Sequence, residues 1–99
     1  DCDLAACKRI VDGTQTMSVY KPLPILAQAA VQLAFDIATK AKIETNAIYN
    51  NGTKDVPSIN LPIIAADKTN IIDTVIADGF HSYEDVYKDI PESQRPPKK

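Results

Sequence analysis

Apolar residues recur along this chain in two rhythms, one of about 3.6 residues and one of two, and their order predicts alternating helices and strands. Leu4, Cys7, Ile10 and Val11 fall at helical spacing. Asp3 precedes them as a natural N-cap and Gly13 follows as a left-handed stop, so Leu4–Asp12 is predicted helical. From Thr14 to Tyr20 the rhythm changes. Thr16, Ser18 and Tyr20 alternate with Gln15, Met17 and Val19, which predicts a strand. Pro22 then opens the longest periodic run. From Leu23 to about Lys42, Leu26, Ala30, Leu33 and Ile37 mark a stripe that Ala27, Ala34, Ala38 and Ala41 widen. A face this wide predicts packing against a sheet.

The second half is patterned in shorter pieces. Ala47–Tyr49 reads as a strand, and Asn50-Asn51-Gly52 as a tight turn after it. Residues 57–66 are extended and apolar, with Pro62 marking an edge or a crossing. Asn70 is placed to cap a further helix with Ile71, Ile72, Val75 and Ile76 on its buried face and Gly79 at its end. Ser82–Ile90 has apolar positions for one or two helical turns. Residues 91–99 are proline-rich and polar and predict a disordered or loosely draped tail. The alternation of helices and strands predicts an α/β architecture. Two or three strands are too few for a complete doubly wound sheet, so the pattern is that of a fragment.

With 99 residues the chain is long enough for one small domain. The net charge of −2 and the scattered basic residues exclude a nucleic-acid surface or a polybasic membrane patch. No apolar run approaches the ~18 residues of a membrane helix. The first residues are polar and do not form a signal peptide, so the chain is expected to begin at a processed or cleaved point. Cys2 and Cys7 lie five apart at a helix start, where they are expected to point in different directions and stay unbridged. A zinc site needs three or four ligands, and His81 is the only histidine. No nucleophile signature, Gly-rich phosphate loop or metal cluster is present, so neither catalysis nor a cofactor is expected. Two polar residues stand out by position. Lys21 follows the strand that ends at Tyr20, and Asp1 precedes the cap of the first helix. Ligands of open α/β sheets bind outside strand ends, so this carboxylate and ammonium are candidate partners for the hydroxyls of a sugar. A solvated lysine and a frayed aspartate are the alternative.

The stretches Asp1–Ile10 and Gly13–Pro22, with Val19-Tyr20-Lys21-Pro22 at the end, resemble the late part of D-xylose-binding proteins. The blocks Asn50–Ser58 and Asn70–His81 resemble the end of the same family. These are type I periplasmic binding proteins, the sugar receptors of ABC transporters. The resemblance implies a C-terminal third of such a receptor. It further implies an α/β fold of partial Rossmann-like lobes, an incomplete parallel sheet with flanking helices. Residues 1–90 would span two lobes, and 91–99 would form the tail. It implies that Asp1 and Lys21 contact a monosaccharide resembling xylose in the intact receptor. The protein would be extracytoplasmic, in the periplasm or lipid-anchored. The alternatives are a protein-interaction piece that docks on an ABC permease or a membrane sensor kinase, and an inactive truncation product. The aromatic residues that sandwich the sugar are not in this chain, which has no Trp. An uncovered apolar helix face predicts that the fragment alone forms homo-oligomers or is only loosely packed.

Overall fold

The structure is a computed structural model describing residues 1–99. Its elements are α1 (Leu4–Asp12), β1 (Met17–Tyr20), α2 (Leu23–Ala38), β2 (Ala47–Asn50), β3 (Asp55–Ser58), β4 (Ile64–Asp67), a π-helical segment (Ile72–Ile76) and α3 (Tyr83–Val86). A single 3₁₀ turn, Glu92–Gln94, follows. These elements form two units, one of Asp1–Pro22 with Ile63–Lys99 and the other of Leu23–Pro62.

The first unit holds the core. The Asp3 carboxylate accepts the Ala6 N–H at 2.7 Å and starts α1. Gly13, at φ +89°, ends it: its N–H reaches the Ile10 carbonyl, and the Thr14 N–H reaches that of Arg9. This helix matches its sequence pattern at both ends. It lays Cys7, Ile10 and Val11 into a cluster with Tyr20, Ala66, Ile71, Val75, Val86 and Tyr87. β1 pairs with β4, setting Ser18 opposite Ala66 and Tyr20 opposite Ile64. Ser18, Tyr20 and Ala66 are buried, while Met17 and Val19 face out, as the alternation predicts. The strand is shorter than expected and begins only at Met17.

Asn70 does not cap the segment after it. Its side chain instead accepts the Asp67 N–H at 2.8 Å and donates to the Ala65 carbonyl at 2.9 Å, holding the end of β4. The next turn is wide: the N–H groups of Ile76 and Ala77 reach back five residues to Ile71 and Ile72. The Thr74 hydroxyl bonds the Asn70 carbonyl at 2.9 Å, the acceptor an α-helix reserves for the Thr74 N–H. Farther on, Ser82 caps α3 by accepting the Asp85 N–H. Contacts also reach the tail, where composition gives no reason to expect them. Tyr83 donates its hydroxyl to the Pro96 carbonyl at 2.6 Å, and the Arg95 Nε bonds the Ile90 carbonyl at 2.7 Å. Lys98 and Lys99 pair with Glu84 and Asp73.

The second unit is α2 and the β2–β3 hairpin. α2 stops at Ala38, four residues before the expected Lys42, because Lys40 turns left-handed at φ +58°. The Lys40 and Ala41 N–H groups close on the carbonyls of Ile37 and Asp36. In the hairpin, Asn51 Oδ1 accepts the N–H groups of Thr53 and Lys54, both at 2.9 Å. No residue of this unit is buried. Packing of α2 on a sheet is therefore not observed, and Leu26, Val31, Phe35 and Ile37 are 49–71% exposed.

The α/β class holds, but the expected parallel pairing does not. Both ladders are antiparallel. Four residues, Asn51–Lys54, join β2 to β3, too few for the crossover a parallel pair requires. β1 carries the chain out of the first unit and β4 brings it back, so they run in opposite directions.

Candidate functional site

The structure brings Asp1 and Lys21 together. Lys21 Nζ lies 2.9 Å from Asp1 Oδ1, and the two side chains are 59% and 74% exposed. Both positions follow from burial next door. Tyr20 is 1% exposed and donates its hydroxyl to Asp78 Oδ2 at 2.9 Å. Pro22 is buried on the other side. Between these anchors Lys21 turns outward. Asp1 is held through Cys2, which is 4% exposed. The Cys2 carbonyl accepts from His81 at 2.9 Å. Since a carbonyl only accepts, this His81 Nε2 carries the proton.

The pair offers a carboxylate acceptor beside an ammonium with three donors. That set suits neighbouring hydroxyls of a polyol, one donating to the carboxylate and the next accepting from the ammonium. As an ion pair at the surface it contributes no more than about 1 kcal/mol to folding. Its geometry is therefore of little use to stability and is open to a ligand. Phe80 packs on both Tyr20 and His81, with ring centroids 5.9 and 4.4 Å apart. It is 37% exposed, and His81 is the residue holding Cys2. Tyr20, by contrast, is core.

Both side chains of the pair are largely exposed. A hollow of about 420 Å³ in the first unit is lined by Ile72, Tyr83, Lys98 and neighbours, and one of about 390 Å³ by Val11, Tyr87, Arg95 and neighbours. Neither includes Asp1 or Lys21. A further hollow, about 720 Å³, is lined by residues of α2 alone. No group of three or more potential metal ligands exists.

Sequence reasoning picked out the pair but missed its anchors. His81 and Cys2 are 79 residues apart, and Tyr20 and Asp78 are 58 apart. Neither contact leaves a local signal. Lys8, farther along α1, is partly covered and pairs with Asp89 at 3.3 Å.

No protein-family model matches the chain. It is 55% identical over 87 residues to the D-xylose-binding periplasmic protein of Haemophilus influenzae, and 51% identical over 81 residues to that of Escherichia coli. It is 29% identical over 83 residues to a multiple sugar-binding periplasmic receptor, ChvE, of Rhizobium radiobacter. These matches take in 82–88% of this chain but only 23–26% of each relative. The chain thus spans about a quarter of their length, not the third expected. Solved structures share the fold, among them two with glucose bound. One is a carbohydrate transporter solute-binding protein from Chloroflexus aurantiacus in complex with D-glucose, with TM-score 0.78 and 34% identity, covering 86% of this chain and 25% of that one. The other is an ABC transporter solute-binding protein from Clostridium phytofermentans with bound β-D-glucose, with TM-score 0.76 and 32% identity, covering 87% and 27%. In sequence and in fold, the chain is similar to about one quarter of each of these proteins.

Proposed function

We propose that this chain is one segment of an extracytoplasmic monosaccharide receptor that serves an ABC transporter, and that it catalyses no reaction. The observation that carries this reading is the 55% identity over 87 residues to a xylose-binding relative. In the assembled receptor, Asp1 and Lys21 supply polar contacts to the sugar. The antiparallel β1–β4 pair takes the chain out of one unit and back into it, which suits a crossing that flexes as the receptor closes on its ligand. An aldopentose such as xylose is the first candidate ligand, and glucose the second. A transporter permease or a membrane sensor kinase would receive the closed form.

The segment alone leaves the pair largely exposed, whereas pockets normally enclose most of a small molecule. The test is calorimetric titration of xylose and of glucose into the longer protein that carries this segment. Saturable heat with one of them supports the reading. Absence of heat with either sugar, from protein shown to be folded, removes it.

A further inference from the structure

Cys2 and Cys7 occupy two special places on α1. Cys2 lies one residue before the cap Asp3, and Cys7 is the fourth helical residue. Side chains at these two places pack on each other across a helix start. The cap residue is extended, at φ −67° and ψ 167°, and so lies outside the helix. Cys2 lies before the helix, so helical spacing does not set its direction relative to Cys7. The Cys7 thiol is directed at the Cys2 carbonyl, Sγ to O 3.7 Å. Both thiols are free, and both are buried, with exposures of 4% and 0%. His81 holds the same carbonyl from another direction.

We propose that Cys2 and Cys7 are a redox pair that closes to a disulfide by exchange with a small-molecule disulfide, locking the start of α1. The Cys2 thiol, the less buried of the two, loses its proton to solvent and attacks one sulfur of the small disulfide. One small thiolate leaves. The Cys7 thiol then gives its proton to the first departed small thiolate and attacks the Cys2 sulfur, and the second small thiolate leaves and takes up a proton from solvent. Two protein thiols and one disulfide become one protein disulfide and two small thiols, so electrons and atoms balance. Burial, and the Cys2 side chain beside it, push the Cys7 thiol up to about 11, which makes resolution the slow step at neutral pH. The fold already holds the two residues together, so closure costs less chain entropy in the folded state than in the unfolded one. The inference rests on this geometry and is independent of sugar binding.

The test equilibrates the full 99-residue chain with graded ratios of reduced and oxidised glutathione. Samples are quenched in acid, alkylated and weighed intact, in buffer and again in concentrated urea. The expected product is a monomer lacking two hydrogens, with no alkylatable thiol. Half-oxidation in buffer should need conditions at least roughly tenfold more reducing than in urea, about 30 mV for a two-electron couple. Cys2→Ser and Cys7→Ser should each stop at a free thiol or a single glutathione adduct. Two alkylatable thiols at every ratio in buffer, an equal midpoint in urea, or a disulfide-linked dimer as the main product would each overturn the proposal. The comparison in urea uses the unaltered chain, so it decides the matter even if a variant does not fold.

Discussion

At the scale of single residues, buried side chains hold the fold and exposed ones add little to it. Asp1 and Lys21 are of the second kind. Asp1→Asn and Lys21→Met should each change the urea midpoint by less than the equivalent of about 1 kcal/mol, because exposed pairs contribute little. Tyr20 and Cys7 are of the first kind, and their burial predicts an alkaline limit. Desolvation, and then the bond to Asp78, push the Tyr20 phenol up to about 12; desolvation and the neighbouring Cys2 push Cys7 up from 9.0 to about 11. Both neutral forms are favoured by the fold. Their contribution is whole below the ordinary values and is lost as pH rises through the raised ones. Urea midpoints should therefore hold to about pH 9 and fall towards pH 11–12. Asp12 and Asp67 act at the other end. Each is held below the usual carboxylate range by the hydroxyl and N–H of the threonine two residues on. Their contribution is present above the ordinary carboxylate value and is lost as pH falls through the lowered one. A midpoint that rises between pH 9 and 11 would contradict the burial of Cys7 and Tyr20.

At the scale of elements, local signals were legible and long-range ones were not. α1 was readable at both ends because a cap and a left-handed stop act within a few residues. Asn70 misled, since the N–H it takes belongs to Asp67 rather than to the turn ahead. α2 misled in a different way. Its stripe says that a face wants covering, and not what covers it. Lys40 carried no stop signal, because lysine seldom turns left-handed. The two helix ends give opposite tests. Gly13→Ala meets no steric neighbour, so its cost should be the left-handed backbone alone, about 1–2 kcal/mol. Lys40→Gly should relieve a similar strain and raise helix content by circular dichroism. Burial gives a sharper contrast. Ile71→Ala, at 0% exposure, should cost about 2–5 kcal/mol in urea unfolding. Phe35→Ala, at 62% exposure, should cost almost nothing in this chain. A large loss from Phe35→Ala in a monomeric sample would mean that α2 is covered after all.

At the scale of the whole molecule, one unit has a core and the other has none. Amide exchange should reflect this, with slow exchange at Ile10, Val75 and Tyr20 and fast exchange throughout α2 and the β2–β3 hairpin. The antiparallel ladders were not legible, because pairing of β1 with β4 depends on a route through about forty intervening residues. The candidate pair was legible only in part: its two members could be chosen by position, but their contact and its anchors could not. The exposure of that pair predicts that the 99-residue chain alone binds xylose no more tightly than about 100 μM, near −5.5 kcal/mol. The central claim is that this segment lends Asp1 and Lys21 to a sugar site in a larger receptor. Its most direct test is calorimetric titration of xylose into the longer protein that carries the segment, unaltered and as Lys21→Met. A bond from a charged group contributes about 1.5–3 kcal/mol, so the substitution should weaken binding by roughly ten- to hundredfold with the unfolding midpoint unchanged. Xylose bound within about twofold of the unaltered protein, far short of that expected loss, would show that Lys21 is only a solvated strand end.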